Sequence, residues 1–163
     1  MPSPYRAKAD GDKILRLLSS TVSSLNFDLV LMHGTCLGFV RNHDFIDYDN
    51  DIDVGILSNF KECTDEEKRR LSEKLLQKGF KHPRSGMLSG AEHWWMHGIL
   101  VCIQWKFNWL EQIYLKSFDT VTYRGETYNV PHPVAEYLAK QYPPQRYGGK
   151  DWRTPHLRPP PKS

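Results

Sequence analysis

The sequence has no long apolar run and no strong charge of either sign. No stretch of about 18 apolar residues occurs, so nothing in it predicts a membrane span. The opening segment MPSPYRAKADGDK lacks the apolar core of a secretory signal peptide. The formal net charge is +3 over 163 residues, and the scattered lysines and arginines do not favour nucleic acid as a partner. From these absences we expect a cytoplasmic protein.

Cysteine is scarce, and its spacing excludes several metal and redox sites. The three cysteines, Cys36, Cys63 and Cys102, form no CxxC pair, which favours free thiols in a reducing compartment. His93 and His97 are four residues apart but lie in a segment with strand character. No third ligand has suitable spacing, so the sequence does not predict a zinc site there.

Hydrophobic periodicity predicts a chain that mixes helices and strands. The predicted helices are 12–25, 35–42, 65–78 and 134–142. The predicted strands are 27–33, 51–57 and a 120–130 hairpin around Arg124 and Gly125; residues 93–107 form either one strand or two strands that turn at Gly98. Thr64 and Glu67 have the spacing of a capping box. This order predicts an α+β fold with a small mixed or antiparallel sheet flanked by helices.

The length favours a single domain. We place that domain at residues 1–147 and interpret residues 148–163, which are rich in proline, as a tail or a lid.

Aspartate is concentrated in one short segment. Asp44, Asp47, Asp49, Asp51 and Asp53 occur within ten positions. In a strand, Asp51 and Asp53 project from the same face, roughly 7 Å apart, where like charges repel by about 2 kcal/mol at an effective dielectric near 20. A divalent cation, Mg²⁺ or Mn²⁺, removes this repulsion. We therefore predict Asp51 and Asp53 as metal ligands, with Asp49 as a further candidate.

Two other interpretations of the aspartates exist. A solvated acidic loop stays open at this stage. A calcium loop of the EF-hand type is excluded, because counting from Asp47 puts Ile52 where glycine is required and Ser58 where glutamate is required.

A possible phosphate-binding turn precedes the aspartates. Gly34 and Thr35 stand between a predicted strand and a predicted helix, where backbone N–H groups suit a phosphate. Gly38 leaves room for a ligand, and Arg41 offers a bidentate guanidinium. Lys106 is a charge on an otherwise apolar segment, and we predict it as a further phosphate contact.

The longer stretch GTCLGFVRNHDFIDYDNDIDVGI resembles the core motif of the LicD and fukutin family, within the DNA polymerase β-type nucleotidyltransferase fold. That family has a G-T-x-L-G-x-x-R block, an I-P-W-D-like segment and a D-x-D pair in this order. Here Asp47 and Tyr48 replace the usual proline and tryptophan. The later segments YNVPHPVAEYLAKQY and DWRTP resemble the family's ending, so the likeness covers roughly residues 28–155.

The resemblance implies a nucleotidyltransferase-type fold and a metal-dependent phosphotransferase. Such enzymes move a phosphoalcohol, such as phosphocholine or ribitol phosphate, from a CDP-linked donor to a sugar or glycan hydroxyl. On this resemblance Asp51 and Asp53 match the metal ligands. The donor phosphate turn matches Gly34, Thr35, Gly38 and Arg41. Asp51, Asp53 and Arg41 are the predicted catalytic residues.

One departure from the family pattern keeps other functions open. The fold usually supplies a third carboxylate from a later strand, and here Cys102 or Gln104 stands at that place. Asp49, Glu92 or Asp119 could substitute for it, the reaction could proceed without a base, or the protein could be inactive. The alternatives are therefore transfer of a nucleoside monophosphate to a small molecule or an RNA, and a non-catalytic protein that binds nucleotide or sugar.

Overall fold

The computed structural model describes residues 4–47, 51–82 and 90–155. These residues form a mixed α+β structure with one sheet. The helices are α1 (Pro4–Ser24), α2 (His33–Arg41), α3 (Asp65–Gln77), α4 (Trp109–Tyr114) and α5 (Val134–Gln141), followed by a 3₁₀ turn (Pro144–Tyr147). The strands are β1 (Asp28–Leu31), β2 (Asp51–Ser58), β3 (Lys61–Glu62), β4 (Ala91–Met96), β5 (Ile99–Gln104), β6 (Phe118–Tyr123) and β7 (Glu126–Pro131).

The sheet has the order β4-β5-β2-β1-β7-β6, with the short β3 paired to β2. β2 pairs antiparallel with β1 and parallel with β5, and β1 also pairs parallel with β7. The β4–β5 and β6–β7 pairs are antiparallel hairpins at the two edges. The predicted α+β class with a mixed sheet is confirmed, and β2 lies in its middle.

Helices cover both faces of the sheet. The larger core packs α1 and α3 against one face, with Leu18, Leu71 and Ile56 fully buried within it. The smaller core lies on the other face, where α4 and α5 contribute Tyr114 and Tyr137. Side chains alternate between faces along a strand. Ile52, Val54 and Ile56 therefore point into the larger core, and Asp51 and Asp53 point to the face of the smaller one.

The first helix begins earlier than the periodicity predicts. α1 begins at Pro4, a residue type that is favoured in the first turn of a helix. It continues through Gly11, although glycine is unfavourable inside a helix. A side-chain carbon added at Gly11 would lie 3.1 Å from the ring of Phe45. The contact with Phe45 accounts for a small residue in the middle of this helix.

Local sequence signals located most of the other elements. The Thr64–Glu67 capping box is present at the start of α3, and β4 and β5 turn at Gly98, which is the two-strand alternative. The β6–β7 hairpin turns at Arg124 and Gly125, both with positive φ. Hydrophobic periodicity did not predict α4, although Asn108 and Glu111 form a capping box at its start.

Part of the segment interpreted as a tail packs on the domain. Trp152 is buried and belongs to the larger core. Residues 156–163 lie outside the described part of the chain. Within the described residues, no helix combines the length and the apolar character that crossing a bilayer requires.

Candidate metal and phosphate site

Two carboxylates and one thiol meet on the face of the sheet that carries the smaller core. Ligand atoms of Asp51, Asp53 and Cys102 all lie within 4.8 Å of one another. Asp53 is only 4% exposed, so this pair does not belong to a solvated acidic loop. Two full negative charges at 4.8 Å repel by about 3 kcal/mol at an effective dielectric near 20. This donor set therefore fits a divalent cation.

Strand register explains why Cys102 joins the pair and Gln104 does not. In the parallel β2–β5 pairing, Cys102 lies opposite Asp53, and Gln104 lies opposite Gly55. All four positions share one face, but only Cys102 is level with the carboxylates. Cys102 thus takes the place at which a third carboxylate was expected.

The predicted Gly34–Thr35 turn holds Asp53 through its backbone. The Asp53 N–H donates to Thr35 Oγ1 at 2.9 Å, and the Asp53 carbonyl accepts from the Met32 N–H at 3.0 Å. Thr35 is 1% exposed, so its hydroxyl is enclosed beside the pair. Gly34 lies next to it in the first turn of α2. The two sequence motifs therefore form one structural unit.

A partly buried polar network supports the same end of α2. The Nε2 group of Gln104 donates to Glu111 Oε1 at 2.9 Å. The Oε1 atom of Gln104 lies 3.0 Å from His33 Nε2. The other ring nitrogen of His33, Nδ1, lies 3.1 Å from Gln141 Nε2. The backbone N–H of His33 donates to the Tyr137 hydroxyl. Nothing in the sequence indicated that Glu111, Gln141 and Tyr137 take part.

This network accounts for an unusual backbone angle. His33 has φ 48°, a left-handed conformation that is uncommon outside glycine, whereas the neighbouring Gly34 has no positive φ. Such angles persist where the surroundings fix them. Here the side-chain and backbone partners of His33 fix the angle at the start of α2.

Gly38 faces the loop that leads to the aspartates. A side-chain carbon there would lie 2.7 Å from the Asp44 carbonyl oxygen and 3.1 Å from the Ile46 backbone nitrogen. Glycine is therefore required for the close approach of this loop. Its predicted contact with a donor phosphate stays a prediction.

The two predicted cationic contacts, Arg41 and Lys106, lie on different parts of the fold. Arg41 ends α2, about 9 Å along the helix axis from Thr35, and donates to the Asn42 side chain and to the Trp152 carbonyl. Lys106 is exposed and lies two residues beyond the end of β5. Its predicted contact with a phosphate stays a prediction.

Two of the three suggested substitutes for the third carboxylate are wrong. Glu92 lies opposite Ile103 on the other face, where it accepts from the Trp94 indole at 3.2 Å. Asp119 is on the edge strand β6, three strands and about 14 Å from β2. Asp49 lies outside the described residues.

Asp119 has a structural role instead. It lies 2.8 Å from His132 Nδ1 and accepts from the Val134 N–H at 2.9 Å, at the start of α5. The hydrogen bond with His132, followed by that with Val134, lowers the pKa of Asp119 below its usual value.

Residues 26–126 match the family described as LicD/FKTN/FKRP, nucleotidyltransferase domain. The match covers more than half of the chain, and the protein belongs to this family. Membership indicates a transferase with a phosphotransferase-type role in the modification of glycans or cell surfaces. The family is in general metal-dependent, which agrees with the acidic pair on β2. No curated protein matches the chain.

Proposed function

We propose that the protein transfers a phosphoalcohol from a CDP-linked donor to a hydroxyl of a sugar or glycan. The observation that carries this proposal is the joining of Thr35 to Asp53 by a 2.9 Å hydrogen bond, in a member of the LicD family. It links the turn suited to phosphate with the carboxylates suited to a cation. Phosphoryl transfer requires both near one another.

Asp51 and Asp53 would hold the cation, with the Cys102 sulfur as the neighbouring donor. A bound divalent cation supplies neutralisation of the charge on the phosphates. Gly34 and Thr35 at the start of α2 orient the donor phosphates through backbone N–H groups, and Arg41 adds positive charge at the end of this helix.

The bond changes follow from the donor. The acceptor oxygen bonds to the phosphorus that carries the alcohol, and the bond from that phosphorus to the bridging oxygen breaks. CMP leaves with the bridging oxygen, and the acceptor proton passes to solvent. Cys102 stands at the usual third position of the fold, and among the described residues the contribution to the reaction is positioning and charge.

Thermal unfolding with a ligand panel tests this function. The panel contains CDP-choline, CDP-ribitol, CDP-glycerol, CDP, CMP, CTP and ATP, each with Mg²⁺, Mn²⁺, Zn²⁺ or a chelator. A ligand at a hundred times its Kd adds about 2.7 kcal/mol, which corresponds to about 5–10 °C for a domain of this size. We expect this shift for one CDP-alcohol, only with metal.

Charge-matched variants locate the effect. Asp53→Asn removes a predicted ligand, and Asp65→Asn removes an exposed carboxylate at the start of α3. The metal-dependent shift should vanish in the first variant and persist in the second. A full shift in Asp53→Asn, or no shift with any donor and metal, would refute the proposal.

Nucleotidyl transfer is the second candidate, because the matched family domain is described as a nucleotidyltransferase. It would leave a nucleoside monophosphate on the acceptor and release pyrophosphate. A preference for CTP or ATP in the panel, with a product heavier by a nucleotide, would favour it. Binding without turnover would instead favour a non-catalytic protein, for which Cys102 in place of a carboxylate is the motivation.

A further inference from the structure

Cys102 adds a sulfur donor to an otherwise acidic site. Its Sγ lies within 4.8 Å of carboxylate oxygens of both Asp51 and Asp53. The position is fixed by the sheet, because Cys102 is the register partner of Asp53 on the adjacent parallel strand. A rigid pair of central strands therefore holds two oxygens and one sulfur together.

The other two thiols have a different environment. Cys36 and Cys63 are both buried in the larger core, whereas Cys102 is only partly buried. Burial raises the pKa of Cys63 to about 12 and that of Cys36 further, so both stay protonated. Neither belongs to the Asp51–Asp53 cluster. Cys102 is the cysteine placed to bind a metal ion.

Donor type decides which ions a site prefers. Mg²⁺ takes oxygen ligands and keeps several waters, whereas thiolates favour Zn²⁺ and similar ions. On the neighbouring strand β4, the register partner of Cys102 is the exposed His93. Its imidazole offers nitrogen, and not oxygen, as a ligand. Three protein ligands with an open position are typical of catalytic zinc sites.

We infer that Cys102 makes the cation site select Zn²⁺ or a similar thiophilic ion over Mg²⁺. The inference rests on the proposed function for the presence of a cation between Asp51 and Asp53. It adds the identity of the ion and names Cys102 as the residue that determines the ion preference.

Cobalt provides a readout that does not depend on activity. Co²⁺ bound to a thiolate gives a sulfur-to-metal charge-transfer band in the near ultraviolet. The full chain titrated with Co²⁺ should show this band, and Zn²⁺ should abolish it at stoichiometric amounts while Mg²⁺ in large excess should not. Calorimetry in the same buffer gives the affinity for each ion.

Three variants assign the band. Cys102→Ser should lose it, and the matched control Cys63→Ser should keep it. Cys102→Asp restores a third carboxylate, so its Zn²⁺ affinity should fall by about tenfold or more and its Mg²⁺ affinity should rise by a similar factor. Circular dichroism and thermal unfolding show that each variant is folded, and Cys102→Ala replaces Cys102→Ser if the latter is not.

The outcomes separate this inference from the proposed function. The band in wild type, its loss in Cys102→Ser and the shifted ion preference of Cys102→Asp support the inference. Co²⁺ binding without the band, or an unchanged preference in Cys102→Asp, overturns it. A Mg²⁺-dependent thermal shift with a CDP-alcohol, without the sulfur band, would support the proposed phosphotransfer and overturn the ion selection. The sulfur band without any binding of a CDP-linked donor would support the ion selection and refute the phosphotransfer.

Discussion

Gly38→Ala tests whether close packing of α2 positions the acidic segment. The added carbon would lie 2.7 Å from the Asp44 carbonyl oxygen and 3.0 Å from Ile46 Cγ1. Two of its three nearest neighbours are backbone atoms of the loop before Asp51, and backbone cannot rotate away. Overpacking costs about 1–3 kcal/mol, and the backbone clash places this site near the upper end.

Helix propensity opposes this cost. Replacing glycine by alanine inside a helix gains about 1 kcal/mol, which leaves a net loss of about 2 kcal/mol. For a domain of this size, that loss corresponds to a decrease in Tm of about 4–8 °C. We also expect the loop to shift, so the metal-dependent stabilisation by a CDP-linked donor should weaken.

Gly11→Ala is the matched control. It is also a helical glycine facing this loop, but its added carbon would meet ring carbons of Phe45 at 3.1 and 3.2 Å instead of backbone. Thermal and urea unfolding of both variants provide the comparison. The reasoning is refuted if Gly38→Ala is as stable as wild type, or if Gly11→Ala is destabilised by the larger amount.

Two more predictions follow from single contacts. Thr35→Val removes the acceptor of the buried Asp53 N–H and should cost about 1–3 kcal/mol in urea unfolding, whereas Thr35→Ser should stay close to wild type; equal losses would contradict this. Hydrogen bonds from His132 and Val134 lower the pKa of Asp119 in the folded state. The ionised carboxylate therefore stabilises the fold at pH values above 3.8, the ordinary pKa of aspartate, and this stability is lost as the pH falls through the lowered pKa. The stability advantage of wild type over Asp119→Asn should therefore be present at about pH 5 and shrink toward pH 3, and a constant difference over that range would exclude this role.

Local patterns in the sequence determined much of the site. The two-residue period of a strand places Asp51 and Asp53 on one face, and the structure has them together. The capping box at Thr64 and the turns at Gly98 and Gly125 follow from short-range chemistry, and all three occur. The family motif then connects the pair with the Gly34–Thr35 turn, and the hydrogen bond between Thr35 and Asp53 agrees with it.

Only the tertiary structure decided which distant residues meet the pair. Cys102 and Gln104 share one face of β5, and strand register alone puts the first level with Asp53. Glu92 falls on the opposite face, and Asp119 falls on an edge strand. Sequence periodicity fixes the face of a side chain within its own strand, but the order and register of strands depend on long-range pairing and packing. The ligand set of this site was therefore set by how the sheet assembles.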